Sequence, residues 1–165
     1  KIPNQTRFNI ISESSQEILN KYESLFFEER NRLKNSDPDA WYNLHSFYSE
    51  FLDYWDGLNS LYDIYIITNK DQLSVMTLFD HFGIQIKAEK IWAVEKNINK
   101  AQRIDNISRF EKVTKANFIF IDDHPDYVES MKKLGIDSYI ASWGYNNIVN
   151  DNNNQISDLG FLIKQ

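Results

Sequence analysis

The stretch Asn117-Phe-Ile-Phe-Ile-Asp-Asp-His-Pro-Asp126 constrains this chain more than any other segment. A continuous apolar run of this length suits a strand buried on both faces, as in a parallel sheet covered by helices. In open α/β sheets the carboxyl ends of the strands open onto the ligand crevice. Asp122, Asp123 and Asp126 all stand just past such an end. Carboxylates crowded there repel one another unless positive charge lies between them. A hard divalent cation with oxygen ligands, Mg²⁺ foremost, is the expected occupant.

Upstream and downstream, short β-rich runs alternate with helical patterns, the signature of βαβ units and a parallel sheet. Ile64-Tyr-Ile-Ile67 leads into Thr68-Asn69-Lys70, then a helix with Val75, Phe79 and Phe82 inward, closing at Gly83. Ile91-Trp-Ala-Val94 is a further strand. Ala101, Ile104, Ile107 and Phe110 mark an amphipathic helix over 100–111. Pro125 opens a helix with Tyr127, Val128, Met131 and Leu134 inward, closed by Gly135, and Ser138-Tyr-Ile-Ala-Ser142 is a last strand. Residues 146–155 read as a solvated Asn-rich loop and 156–163 as a short terminal helix.

The first third is helical. Ile18, Leu19, Tyr22, Leu25, Phe26 and Leu33 recur at three- and four-residue steps on one face, the pattern of a buried stripe. Asn35-Ser-Asp-Pro38 interrupts the pattern, with Ser36 or Asp37 placed to cap the next helix. That second helix is expected to carry an aromatic core stripe from Trp41 through Phe47, Phe51 and Trp55 to Leu58. The expected organisation is a helical cap-like segment over 1–57 and an α/β core over 58–165.

Bulk properties exclude several function classes. The net charge is -6, which provides no basic field for gripping a phosphate backbone and argues against nucleic-acid binding. No apolar run approaches the roughly 20 residues that span a bilayer. The chain has no cysteine, which excludes thiolate metal sites and is compatible with a reducing compartment. A cytoplasmic protein without nucleic-acid or membrane partners is the expectation; oligomeric state is not legible. His45 and His81 belong to no zinc-ligand spacing.

Thr68 at one strand end, Lys100 at a helix start and Asp122 at a second strand end place a hydroxyl, a cation and carboxylates around one crevice. Phosphoryl transfer needs that combination, because its transition state spreads negative charge over equatorial oxygens. In order and spacing, Ile-Ile-Thr68-Asn-Lys, Lys100 and Ile121-Asp-Asp-His-Pro-Asp126 resemble the second, third and fourth motifs of the haloacid dehalogenase (HAD) superfamily. The resemblance is especially to its phosphoglycolate-phosphatase-like members. Lys133-Leu-Gly135 and Ser142-Trp-Gly-Tyr145 also resemble the segments downstream of the fourth motif in that branch, and the likeness covers about residues 45 to 163.

The resemblance implies a Rossmann-like parallel sheet and a Mg²⁺-dependent phosphohydrolase acting on a small phosphorylated metabolite, a phosphate monoester. In that reading Thr68, Asn69 and Lys100 hold the phosphoryl group, Asp122 and Asp123 take the metal, and Asp126 orients Lys100. The family's first motif, Asp-x-Asp-x-Thr, supplies the nucleophile and the general acid/base, and this chain does not contain it. Arg7-Phe-Asn-Ile-Ile-Ser12, the one apolar run ahead of the helices, would offer Asn9 and Ile11 in those places. An amide cannot form an aspartyl-phosphate and an isoleucine cannot shuttle a proton. The nucleophile is therefore expected upstream of Lys1. The alternative is a catalytically inactive relative that binds a phosphorylated ligand or a protein partner. Each residue also has a plainer role: Asp123 as a helix cap, Asp126 as a charge favoured by a helix N-terminus, Lys96 as a competitor for Lys100, and His124 as a surface side chain.

Overall fold

The computed structural model describes residues 16–93, 98–144 and 154–163. Arg7 to Ile11, Val94, Lys96 and most of the Asn-rich stretch lie outside them. The chain divides into two compact units, Lys1–Ser46 and Phe47–Gln165. No helix among the described residues is long and apolar enough to cross a membrane.

In the first unit, α1 (Gln16–Ser36) is followed by α2 (Pro38–Asn43). The stop and restart obey the sequence signals: the Asp37 carboxylate accepts from the Ala40 N–H at 3.0 Å, and Pro38 opens the new helix. The apolar stripe of α1 is not buried as its spacing predicted. Tyr22 is 69 % and Phe26 63 % exposed, and Ile18 and Leu25 are also exposed. Trp41, by contrast, is buried, with the Lys34 ammonium over its ring.

The long second helix expected from Trp41 to Leu58 is broken. The His45 N–H bonds to the Tyr42 carbonyl in a tightened turn, and its imidazole Nδ1 lies 2.8 Å from the Trp41 carbonyl. That carbonyl is the acceptor a continuing helix would use, so the helix ends there. The aromatic residues from Phe47 on belong to the second unit, on and beside α3 (Ser49–Leu52) and α4 (Trp55–Leu61). There Phe47, Phe51 and Trp55 pack edge-on, tilted or stacked around Phe79.

The second unit continues with β1 (Ile66–Thr68), α5 (Gln72–His81), β2 (Ile91–Ala93), α6 (Lys100–Glu111), β3 (Ile119–Asp122), α7 (Pro125–Lys133), β4 (Asp137–Ala141) and β5 (Gln155–Ile156). This is an α/β unit with parallel strands flanked by helices. Gly83 and Gly135 end α5 and α7 with φ of +74° and +78°, the left-handed turn that only glycine adopts without strain. Ile104 and Ile107 of α6 are buried as their spacing predicted, whereas Phe110 is 70 % exposed. The terminal helix expected over 156–163 is a short strand and a single 3₁₀ turn, Gly160–Leu162. β4 has an edge to fill, and the Ser142 N–H takes the Ile156 carbonyl at 3.0 Å, drawing the chain into the sheet.

Among the described residues β1 pairs only with β2, and β3–β4–β5 form a separate parallel sheet. The two sheets nevertheless share a layer. Ile67 of β1 and Phe120 of β3 pack into the same cluster with Ile104, Val128 and Met131. Ile64, just before β1, and Ile121 of β3 both pack against Leu58, Leu159 and Leu162. Helix α6 thus covers one face of both strands, while α4 and the C-terminal turn cover the other.

Candidate functional site

Lys100 owes its position to a helix start. Asn99 caps α6: its side chain accepts from the Gln102 N–H, and the Gln102 side chain accepts from the Asn99 N–H, each at 2.9 Å. This reciprocal capping box holds the first turn rigid. From that turn the Lys100 ammonium donates to Asp122 Oδ2 and lies 4.4 Å from the Tyr127 ring centroid. Both side chains are largely removed from water, at 12 % and 9 % exposure. The other oxygen of Asp122, Oδ1, accepts from the His124 N–H at 2.9 Å. The carboxylate is therefore fixed at both ends.

The far end of α6 makes a second polar cluster. The Tyr65 hydroxyl, just before β1, donates to Glu111, the last residue of α6, while Lys90 donates to Asp63, Tyr65 and Glu111. Burial and the bond to Glu111 push the Tyr65 hydroxyl up to about 12. Burial works against the Lys90 charge, but its three hydrogen bonds outweigh that and raise its pKa. The bonds from Tyr65 and Lys90 hold the Glu111 carboxyl below its usual range. No motif signals this cluster, because its members come from three separated places in the chain.

Helix α6 thus starts beside the end of β3 and finishes beside the start of β1. It runs antiparallel to both, so β1 and β3 point the same way and Thr68 lies toward the Lys100–Asp122 end. The Thr68 hydroxyl accepts from the Lys70 N–H at 3.1 Å, a local turn that shapes the strand exit, and Asn69 is exposed. Asp123 is half-buried against the loop leaving β4. A Cβ added to Gly144 would collide with the Asp123 side chain, lying 2.6 Å from its Oδ2. Asp126 stands away from Lys100: its side chain is 93 % exposed, 4.0 Å from His124 Nδ1. The Lys100 ammonium itself is paired with Asp122. The N-cap of α7 is His124, which makes no side-chain capping bond.

Between β1 and β3 lies a cavity of about 650 Å³, walled by residues 64–67 on one side and 117–123 on the other. Ile104 and Ile107 close it on the α6 face, with Trp55, Leu58 and Leu162 on the opposite face. Asp122 and Asp123 line it at the end of β3, and Asp63 and Glu111 line it near the start of β1. Sequence reasoning could not find the cavity, since it is made by two strand edges rather than by a motif.

The donor set can be weighed against Mg²⁺. Among the described residues no group of three or more His, Cys, Asp or Glu converges. Mg²⁺ commonly takes one or two carboxylates and completes its shell with water and phosphate oxygens. Asp122 and Asp123 at the end of β3 fit that mode and not an all-protein cage. No protein-family model matches the chain, and no curated protein matches it.

Proposed function

We propose that this chain is the phosphate-handling part of a HAD-like, Mg²⁺-dependent phosphohydrolase acting on a small phosphate monoester. The carrying observation is the Lys100–Asp122 pair, held out of water at the end of a parallel strand and flanked by Asp123 and a strand-wide cavity. Asp122 and Asp123 hold the metal, which when bound neutralises charge developing on the phosphoryl oxygens. Lys100 keeps Asp122 in place and presents its remaining N–H bonds to the phosphoryl group. Thr68 and Asn69, at the end of β1, offer a hydroxyl and backbone N–H groups to the same anion.

The nucleophilic carboxylate comes from outside this chain, so the 165 residues alone bind metal and phosphate without turnover. Two measurements test the proposal. Calorimetric titration with Mg²⁺ in the presence of inorganic phosphate should show binding that Asp122→Ala abolishes and Asp123→Ala weakens. The chain extended by its upstream residues should hydrolyse a generic phosphate ester. Undiminished Mg²⁺ affinity in both variants overturns the metal assignment. Metal binding by an extended, cooperatively folded protein that hydrolyses no ester favours the inactive-relative reading.

A further inference from the structure

Lys100 stands where helices disfavour positive charge. It is the first residue of α6, and α7 opens at Pro125, just past Asp122. Both helix starts, with their positive dipole ends, lie beside the end of β3. A cation at 12 % exposure in that position needs compensating partners. Among the described residues it has the Asp122 carboxylate and the face of the Tyr127 ring, whose centroid lies 4.4 Å from the ammonium. Tyr127 is in the first turn of α7. Its ring is set by its own surroundings: it packs against the cluster of Ile104, Val128 and Met131, and the His124 imidazole lies tilted 4.9 Å from it.

The two partners are not equivalent. A carboxylate that holds an ammonium is also a ligand for a divalent ion, and in the reading above Asp122 holds the metal as well. An aromatic face attracts an ammonium through its quadrupole but offers Mg²⁺ no oxygen in place of water. With the metal bound, Asp122 is shared and the ring is the partner that stays. We infer that Tyr127 is the positioning residue of Lys100: its ring holds the ammonium at the end of β3 whether or not metal occupies Asp122, leaving one side of the ammonium open to a phosphoryl oxygen. The contact is with the ring and not with the phenol oxygen, so phenylalanine preserves it and leucine, apolar and of similar bulk, does not. The phosphate part of the inference rests on the phosphohydrolase reading; the placement of Lys100 does not.

The test uses nuclear magnetic resonance of the full 165-residue chain, with the Lys100 ε-methylene signal identified by its loss in Lys100→Met. That signal should be displaced upfield by the ring in the original chain and in Tyr127→Phe. In saturating Mg²⁺ the Lys100 ε-carbon should stay ordered in both and become mobile in Tyr127→Leu. Affinity for inorganic phosphate, measured in the same Mg²⁺, should change by less than about twofold in Tyr127→Phe and fall about tenfold in Tyr127→Leu. Mg²⁺ affinity should be the same in all three. An undisplaced Lys100 signal in the original chain overturns the inference, as does Tyr127→Phe as impaired as Tyr127→Leu. So does Tyr127→Leu with Lys100 still ordered in bound Mg²⁺ and phosphate affinity unchanged. Loss of Mg²⁺ affinity in Tyr127→Leu would mark the ring as packing for the whole site and would also overturn it. An original chain that binds neither Mg²⁺ nor phosphate sinks the phosphohydrolase reading instead, and the upfield displacement then decides the placement of Lys100 alone.

Discussion

The Lys100 ammonium donates to the Asp122 carboxylate, which lines the cavity, and their side chains are only 12 % and 9 % exposed to water. Lys100 belongs to the first turn of a helix and Asp122 to the last residue of a strand. Their contact ties the start of α6 to the end of β3. A shielded pair of this kind contributes little net stability while intact, because desolvation offsets attraction; losing one partner exposes the whole penalty.

Asp122→Asn should therefore destabilise the domain by about 3 kcal/mol, since it strands the Lys100 charge in a dry site. Replacing both residues, Lys100→Met with Asp122→Leu, should recover most of that loss. Urea denaturation of the original chain and both variants measures it; an Asp122→Asn variant as stable as the original would show that water reaches the pair.

Asn99→Ala removes the side-chain half of the capping box. It should cost about 1 kcal/mol, in keeping with one lost acceptor at a helix start. The effect should also reach the site, because Lys100 is the next residue. Nuclear magnetic resonance of the Lys100 side chain should report faster ammonium exchange in the variant, with the rest of α6 unchanged.

Gly144→Ala should weaken Mg²⁺ binding by about tenfold, one unit of pKd or some 1.4 kcal/mol. The added methyl collides with the Asp123 side chain and must push its carboxylate out of place. In an Asp123→Gly background the same substitution should change nothing, and comparing the two pairs in a double-mutant cycle isolates the contact. Equal losses in both backgrounds would assign the effect to the loop rather than to Asp123.

The cluster of Lys90, Asp63, Tyr65 and Glu111 predicts two pH limits. The Glu111 carboxyl lies below its ordinary 4.5 in the folded protein, so folding favours its charged form. Its contribution is complete above 4.5 and lost as pH falls through the lowered value. Tyr65 is raised from 10.0 to about 12, so folding favours its neutral form. Its contribution is complete below 10.0 and lost as pH rises toward 12. Thermal unfolding of Glu111→Gln and Tyr65→Phe against pH checks both limits: the first should blunt the acid-side loss, the second the alkaline one.

Apart from the broken helix between Trp41 and Leu58 and the terminal segment after Gln155, most elements were legible one by one because each rests on local chemistry. Asp37 before Pro38, Asn99 before Lys100, and Gly83 and Gly135 at φ of +74° and +78° mark helix ends by interactions among near neighbours in the chain. The apolar run before Asp122 became a parallel strand as its pattern implied, although only Phe120 is buried and Ile119 is 40 % exposed. The motif order placed Lys100 and Asp122 around one crevice, but the direct bond between them was not among its expectations, which gave Asp126 to Lys100. Asp126 is in the first turn of α7 with its side chain in water, and nothing in its neighbours reveals which way the turn faces. Long-range decisions were not legible at all. The exposed stripe on α1 has the spacing of a buried one, because periodicity states which residues share a face and not what covers them. The Lys90 cluster joins residues up to 48 positions apart, from Asp63 to Glu111. The cavity between β1 and β3 is likewise a relation between separated segments, to which no single side chain contributes a signal. Side-chain pattern determined what each segment would be; only the tertiary structure decided which strand edges meet, because backbone pairing joins segments far apart in the chain.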